Sequence, residues 1–274
     1  MRKGEFIFSC KRASQVCPGR EYEQAYASTN EPLDWETDLV NPRHKSVLTV
    51  AASGDQPIIY ATRNSAHIDT FDITCYANVI MDFKTTSLDI LTYNEYSRII
   101  PWISVNLRSA AQRSEFKRVF SMMPAETHHI LDQILKTKNH ALIFGREPVY
   151  KIDVPRDATH YLSMQMQSRR RYDFIWADVK NLHEYLTRPY DIINTSNIFD
   201  HYFGQCDEPH KHIAETVKNL WPYLNKGGHI ISTSTAHRTD AQFRTLKPFL
   251  AENAIIERHG PKNNFYATVI QKVR

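Results

Sequence analysis

Glycine is scarce, with 8 in 274 residues. No G-x-G-x-x-G and no G-x-x-x-x-G-K-[ST] can be assembled from them. The chain therefore lacks the glycine-rich cradle that lets backbone amides close on a pyrophosphate, and NAD and ATP phosphates are not expected as ligands. Cysteine is also sparse: Cys10, Cys17, Cys75 and Cys206 have no metal-type spacing and read as reduced thiols. No run of about 18 apolar residues exists, so no membrane span is expected. "EFIFSC" is too short for a signal-peptide core. A cytoplasmic location is the resulting expectation. Charge of one sign is lacking too: 34 basic residues meet 30 acidic ones, for a net charge of +4. Only Arg169-Arg170-Arg171 forms a basic cluster. Without interleaved aromatics it reads as a solvated approach to a strand, and nucleic acid is not an expected partner.

What is present is an alternation of strands and helices. Residues 1–43 are polar, broken by Pro18, Pro32 and Pro42, and are expected to form a segment covering the site. From 44 to 274 a single α/β domain is expected. "SVLTVAA" (46–52) is the apolar run of a parallel strand covered on both faces. "HIDTFDI" (67–73) is a second strand ending near Asp72. Residues 74–92 predict a helix with Ala77, Met81, Leu88 and Leu91 on its apolar face and Lys84 inside that stripe. About 95–165 reads as a helical insertion, with Pro124 opening one of its helices. Strands return at 172–179, 190–199 and 227–235, and a final pair is expected at 253–259 and 265–273. "HIAETVKNLWPYL" predicts an amphipathic helix stopped by Gly227-Gly228. The pattern implies a doubly wound, mostly parallel sheet with one antiparallel strand near the end. The insertion is a candidate lid or acceptor-binding subdomain, or simply a packing element.

Ligands of open α/β sheets sit outside the carboxyl ends of the strands, and four such ends carry polar chemistry. After the first strand come Ala52, Ser53, Gly54, Asp55 and Gln56. One glycine followed by an acid repels a pyrophosphate and suits an ammonium group, as in a nucleoside carrying an amino acid, S-adenosylmethionine. An ordinary strand–helix turn capped by Asp55 explains the same residues. Asp72, beside Ile73, can accept both hydrogen bonds of a ribose diol. Asp178 can accept from an adenine amino group while Val179 packs on the ring. "NTSNIFDHYF" puts Asn194, Ser196, Asn197, Asp200 and Tyr202 at the mouth of an apolar strand, where a ligand or a polar turn would partner them. A lysine stem lying on the core with its head in water is the plain account of Lys84. His201, Cys206, His210 and His212 could gather round a metal, but a polar loop entering a helix explains them, and no metal is expected.

"VLTVAASGDQPIIY", "FDIT", "KTTSLDILTYNEY" and "YDIINTSNIFDHY" occur in that order. Together they resemble the BtaA-like family, S-adenosylmethionine:diacylglycerol 3-amino-3-carboxypropyltransferases and their bacterial relatives. The resemblance covers about residues 26–105 and 190–235. It rests on a strand, a Ser-Gly loop, an acidic strand end, and a helix whose lysine (Lys84) precedes Leu91, Tyr93, Glu95 and Tyr96. It implies the class I methyltransferase fold. It also implies S-adenosylmethionine held by Ser53, Gly54, Asp55 and Asp72, and transfer of the 3-amino-3-carboxypropyl group. The chain has no obvious lipid-facing apolar helix, so a small-molecule or carrier-bound acceptor is expected, including the special case in which the cofactor's own amine attacks its chain and closes a ring. Asp200 and Tyr202 are candidates for the base or acceptor-orienting group, and Lys84 for a catalytic or loop-supporting one. Two alternatives remain open: a small-molecule methyltransferase, and a non-catalytic sensor or partner protein using the same pocket.

Overall fold

The computed structural model describes residues 32–100, 109–136, 157–168, 172–205, 207–250, 253–262 and 265–274. The arginine triplet, Cys10, Cys17, Cys206 and the first 31 residues lie outside them. Seven strands form one sheet: β1 (Ser46–Val50), β2 (His67–Asp72), β3 (Asp173–Trp176), β4 (Tyr190–Ser196), β5 (Leu224–Thr235), β6 (Ala254–Lys262) and β7 (Phe265–Lys272). Their order is β3-β2-β1-β4-β5-β7-β6. The first five are mutually parallel, and β7 runs antiparallel to both β5 and β6. This is the expected doubly wound, mostly parallel sheet. Its central strands are buried on both faces: Leu48 and Val50 of β1 point to one side, Val47 to the other.

Helices α1 (Leu33–Val40) and α2 (Asp55–Thr62) cover the Val47 face. Helices α8 (Ile198–Gln205), α9 (Pro209–Leu220) and α10 (Ala236–Leu250) cover the other. Helix α1 packs on α2, and Asp34 and Asp38 pair with Arg63 at the amino edge of the sheet. The described part of the N-terminal segment thus lies at the opposite edge from the strand ends that carry the polar residues.

Helix α3 (Cys75–Ile90) buries Ala77, Met81, Lys84 and Leu88, as the stripe predicts, with Leu91 buried just past its end. Cys75 is disulfide-bonded, which corrects the expectation of a reduced thiol. The insertion contains α4 (Tyr93–Ile99), α5 (Ala110–Met122), α6 (Ala125–Lys136) and α7 (Ala158–Ser168). Helices α5, α6 and α7 pack on α3, and α7 also packs on α2. A separate apolar cluster joins them through Ile59, Phe83, Tyr96, Val119, Leu131 and Tyr161. Two hydrogen bonds fix the junction: Tyr161 Oη donates to the Leu91 carbonyl at 2.7 Å, and Gln165 Nε2 to that of Leu88 at 2.8 Å.

One expectation fails locally. Gly227-Gly228 does not stop a helix. Helix α9 ends at Leu220, a short 3₁₀ turn follows, and the glycines lie inside β5. A Cβ at Gly228 would come within 2.9 Å of the Asp191 and Asn225 carbonyl oxygens, so Gly228 serves close strand approach, while Gly227 has open space around it and a left-handed φ of 77°.

Candidate functional site

The strand order reverses between β1 and β4, so a crevice opens outside their carboxyl ends. The loop after β1 forms one wall. The Ala51 amide still donates to the Phe71 carbonyl at 2.8 Å, which extends the ladder past the strand. The chain then turns sharply, with Ala52 at φ 44° and Gly54 at φ 80°. Glycine is required at 54: its φ lies in the left-handed region, and an added Cβ would stand 2.9 Å from Met81 Cα. Helix α2 starts at once, with Asp55 as its first residue and no side-chain cap on its N-terminus. The reading of Asp55 as a cap is therefore corrected.

Asp72 ends β2 beside this loop. Its Oδ2 accepts the Ala52 amide at 2.9 Å and its Oδ1 accepts the Thr74 amide at 3.0 Å. One carboxylate so fixes both the turn after β1 and the entry to α3. Burial pushes its pKa up to about 6, against the pull of the Thr74, Ala52 and Ile73 amides. The Ala52 and Thr74 bonds fall on different oxygens, so the carboxylate keeps acceptor capacity toward the crevice.

Asp55 and Lys84 face each other behind the loop. Lys84 Nζ lies 2.6 Å from Asp55 Oδ1, and both side chains are 1% exposed. Ser53 Oγ donates to Asp55 Oδ2 at 2.8 Å. The head of Lys84 is therefore not in water, and the ammonium beside Asp55 belongs to the chain itself. Burial lowers the Lys84 pKa, and the Asp55 charge opposes that shift. Tyr96 is fully buried, and desolvation, then the charge of Asp55, hold its phenol well above its ordinary range. Tyr96 stands in the motif that carries the family resemblance, yet nothing in the sequence pattern assigns it a partner.

The second wall is the end of β4. Ser196 takes φ 51°, and its amide donates to Asn194 Oδ1 at 2.7 Å. Asn194 Nδ2 donates to Tyr60 Oη at 3.1 Å, and Gln56 Nε2 donates to Ser196 Oγ at 3.3 Å. Asn194, Ser196 and Gln56 are thus buried in a polar seam beneath α2, whereas Asn197 is partly exposed at the mouth. On the far side, beyond β3, Asp178 Oδ1 accepts the Lys180 amide at 2.9 Å. Burial raises its pKa, and the Lys180 amide and the charges of Lys180 and His212 oppose the rise. Val179 is buried next to it, and Ile73 is partly exposed beside Asp72. The Ile73 carbonyl takes a hydrogen bond from the Trp176 indole at 2.9 Å.

The two proposed acceptor-side residues differ. Asp200 accepts from Ser234 Oγ and, at 3.4 Å, from Gln242 Nε2, with Arg238 Nη1 3.7 Å from its other oxygen. Tyr202 points into the core, where its hydroxyl meets Thr216 Oγ1 at 3.4 Å and Lys180 Nζ lies 5.0 Å from its ring centre. Its hydroxyl contact lies on α9, not at the strand mouth. Ser234 and Arg238 escaped the sequence reading. A cation on the first turn of a helix after a strand was the available signal for Arg238.

The His201, Cys206, His210 and His212 group is not assembled among the described residues: Cys206 lies outside them, His210 meets Thr245 and His212 faces Glu215. His67, Asp69 and Asp173 bring three ligand atoms within 4.8 Å of one another. They stand at the amino edge of the sheet, and Asp69 is already gripped by both Arg188 nitrogens and Tyr190 Oη. Among the described residues no helix is long and apolar enough to cross a membrane.

No family model matches the chain, and no curated protein matches it. Solved structures align over most of its length at low identity. The N-methyltransferase NodS from Bradyrhizobium japonicum, crystallised with S-adenosyl-L-homocysteine, is 11% identical, with a TM-score of 0.46 over 97% of this chain and 98% of that one. A ribosomal protein L11 methylase from Lactobacillus delbrueckii subsp. bulgaricus is 10% identical, with a TM-score of 0.44 over 88% and 77%. An rRNA methylase from Streptococcus thermophilus is 10% identical, with a TM-score of 0.42 over 88% and 94%.

Proposed function

We propose that the chain is an S-adenosylmethionine-dependent transferase. Its preferred reaction moves the 3-amino-3-carboxypropyl group to a small or carrier-bound nucleophile and releases 5′-methylthioadenosine. The observation that carries this reading is the row of polar strand ends. Asp178, Asp72, the Ala52–Gly54 turn and Asn197 stand at the carboxyl ends of the adjacent strands β3, β2, β1 and β4, across the point where the strand order reverses. The donor set fits the cofactor: acids and amides suit a nucleoside with a diol, and a turn with one glycine does not suit phosphates.

In this reading Asp72 receives the ribose hydroxyls on the acceptor capacity its amide contacts leave. Asp178 receives the adenine amino group, with Ile73 and Val179 lining the ring. The Ala52–Gly54 backbone and Asn197 border the amino-acid end. Asp200, with Arg238 beside it, orients the acceptor. When bound, the sulfonium supplies three electrophilic carbons, and alignment decides which one reacts. The preference for the four-carbon chain comes from the family resemblance. Its motif residues Lys84 and Tyr96 sit against the cofactor turn through Asp55.

The test is mass spectrometry of the full chain incubated with S-adenosylmethionine and a small-molecule extract, with binding followed by calorimetry. Methylthioadenosine above background is expected. S-adenosylhomocysteine instead would make the protein a methyltransferase. Binding without either product would favour a sensor. No binding at all would sink the reading.

A further inference from the structure

Asp55 is an acid at the start of a helix, buried, and directed away from the crevice toward Lys84. A buried ion pair is a poor source of stability, since desolvating both charges costs about as much as their attraction returns. Its place in the chain is more informative. Lys84 sits on α3, the helix that begins just after Asp72. Asp55 opens α2, the helix that begins just after the cofactor turn. The pair therefore joins the two helices whose first residues build the two sides of the ribose and amino-acid site. Ser53 Oγ extends the link into the turn itself. The backbone of Met81, one turn before Lys84, meets Gly54 at contact distance.

The insertion closes this joint from outside. Tyr96 of α4 lies close enough to Asp55 for that charge to raise its phenol. The Tyr96 and Tyr161 rings stand 5.4 Å apart, and Tyr161 of α7 is hydrogen-bonded to the end of α3. Helices α4 and α7 thus pack over the pair and exclude water from it.

We infer that Lys84 is a positioning residue, acting through Asp55 and Ser53 to hold the cofactor turn in register with Asp72, and that the packed helices of the insertion are a fixed buttress for this lock. The inference rests on the proposed function, because the turn is taken as the cofactor's. It replaces a direct catalytic role for Lys84 and a direct cofactor contact for Asp55.

The experiment compares wild type with Ser53→Ala, Lys84→Met and the double variant Asp55→Asn/Lys84→Met. It measures S-adenosylhomocysteine affinity by calorimetry, melting temperature, and amide exchange across residues 51–56. Lys84→Met strands a buried carboxylate and is the variant most prone to unfolding. Ser53→Ala leaves the ion pair intact, and the double variant leaves no buried charge, so both keep the test open. Affinity is expected to fall roughly tenfold or more in each folded variant, as misplacement of a site from behind can cost, with faster exchange in 51–56. A folded variant that keeps the wild-type melting temperature while it loses affinity and gains exchange in 51–56 marks a positioning role, since a purely structural role would lower the melting temperature together with both. Folded variants with wild-type affinity and wild-type exchange would overturn the lock. Failure of the wild-type chain to bind would overturn the cofactor reading instead, and the exchange comparison alone would then decide whether the pair holds the turn.

Discussion

Asp72 Oδ2 accepts the amide of Ala52 at 2.9 Å, so the acid ending β2 holds the turn that follows β1. The same carboxylate is pushed up to a pKa of about 6, chiefly by burial. In the free protein the folded state therefore holds this proton more tightly than the unfolded chain does. Between about pH 4 and 6 the contribution of Asp72 to stability falls as pH rises. Ligand binding has the opposite sign, because a ribose diol donates to the ionised form. Affinity for S-adenosylhomocysteine should rise through about pH 6 and level off above it. Asp72→Asn should remove that dependence and weaken binding by about 1.5–3 kcal/mol, the range for hydrogen bonds to a charged group. Calorimetry at several pH values checks both. A flat wild-type profile would count against Asp72 as the ribose acceptor.

Gly54 combines a φ of 80° with a contact that leaves no room for a Cβ. Gly54→Ala forces either the turn or α3 to move. The left-handed backbone alone costs about 1–2 kcal/mol in an L-residue, and the Met81 contact adds to it. Urea denaturation should show a loss of at least that size. The variant should also bind the cofactor poorly, because the turn cannot shift without disturbing the Ala52 amide.

The sheet is readable in the sequence because buried parallel strands are written as apolar runs, and "VLTV" and "YDII" need no partner to be recognised. The polar strand ends are legible for the same reason: a carboxylate after such a run has few other places to be. What local pattern cannot supply is the partner of a buried charge. The helical stripe puts Lys84 inward, but Asp55 lies 29 residues before it, and only the crossing of α2 and α3 brings them together. Asp200 is similar, since its contacts lie on β5 and α10, 34 to 42 residues on. Gly227-Gly228 misled because a glycine pair looks alike as a helix stop and as a left-handed residue followed by a close strand approach inside β5.

Gln56 and Ser196 bridge the switch point from α2 to the end of β4. Both are buried, so truncating one removes a hydrogen bond shielded from water. Gln56→Ala should cost about 1–3 kcal/mol through the cavity and the lost hydrogen bond. A cycle with Ser196→Ala should return a coupling of about 0.5–1.5 kcal/mol. Additive losses in denaturant would mean that the 3.3 Å contact is incidental and that the two walls of the crevice are held by the strands alone.

Asp200 and Tyr202 were candidates for one role, and their surroundings separate them. The Tyr202 hydroxyl meets Thr216 inside the core, while the ring stacks near Phe199 at 6.0 Å. Tyr202→Phe keeps the ring and loses one weak hydrogen bond, so stability should drop by no more than about 1 kcal/mol and turnover should stay near wild type. Asp200 instead joins Ser234, Arg238 and Gln242 at the ends of β4 and β5. Asp200→Asn retains its shape but takes the charge from beside Arg238. If Asp200 orients the acceptor, the acceptor KM should rise and kcat fall, while S-adenosylhomocysteine affinity stays unchanged. The reverse pattern, with Tyr202→Phe inactive and Asp200→Asn active, would require the Tyr202 side chain to leave the core on acceptor binding and would move the acceptor site toward α9.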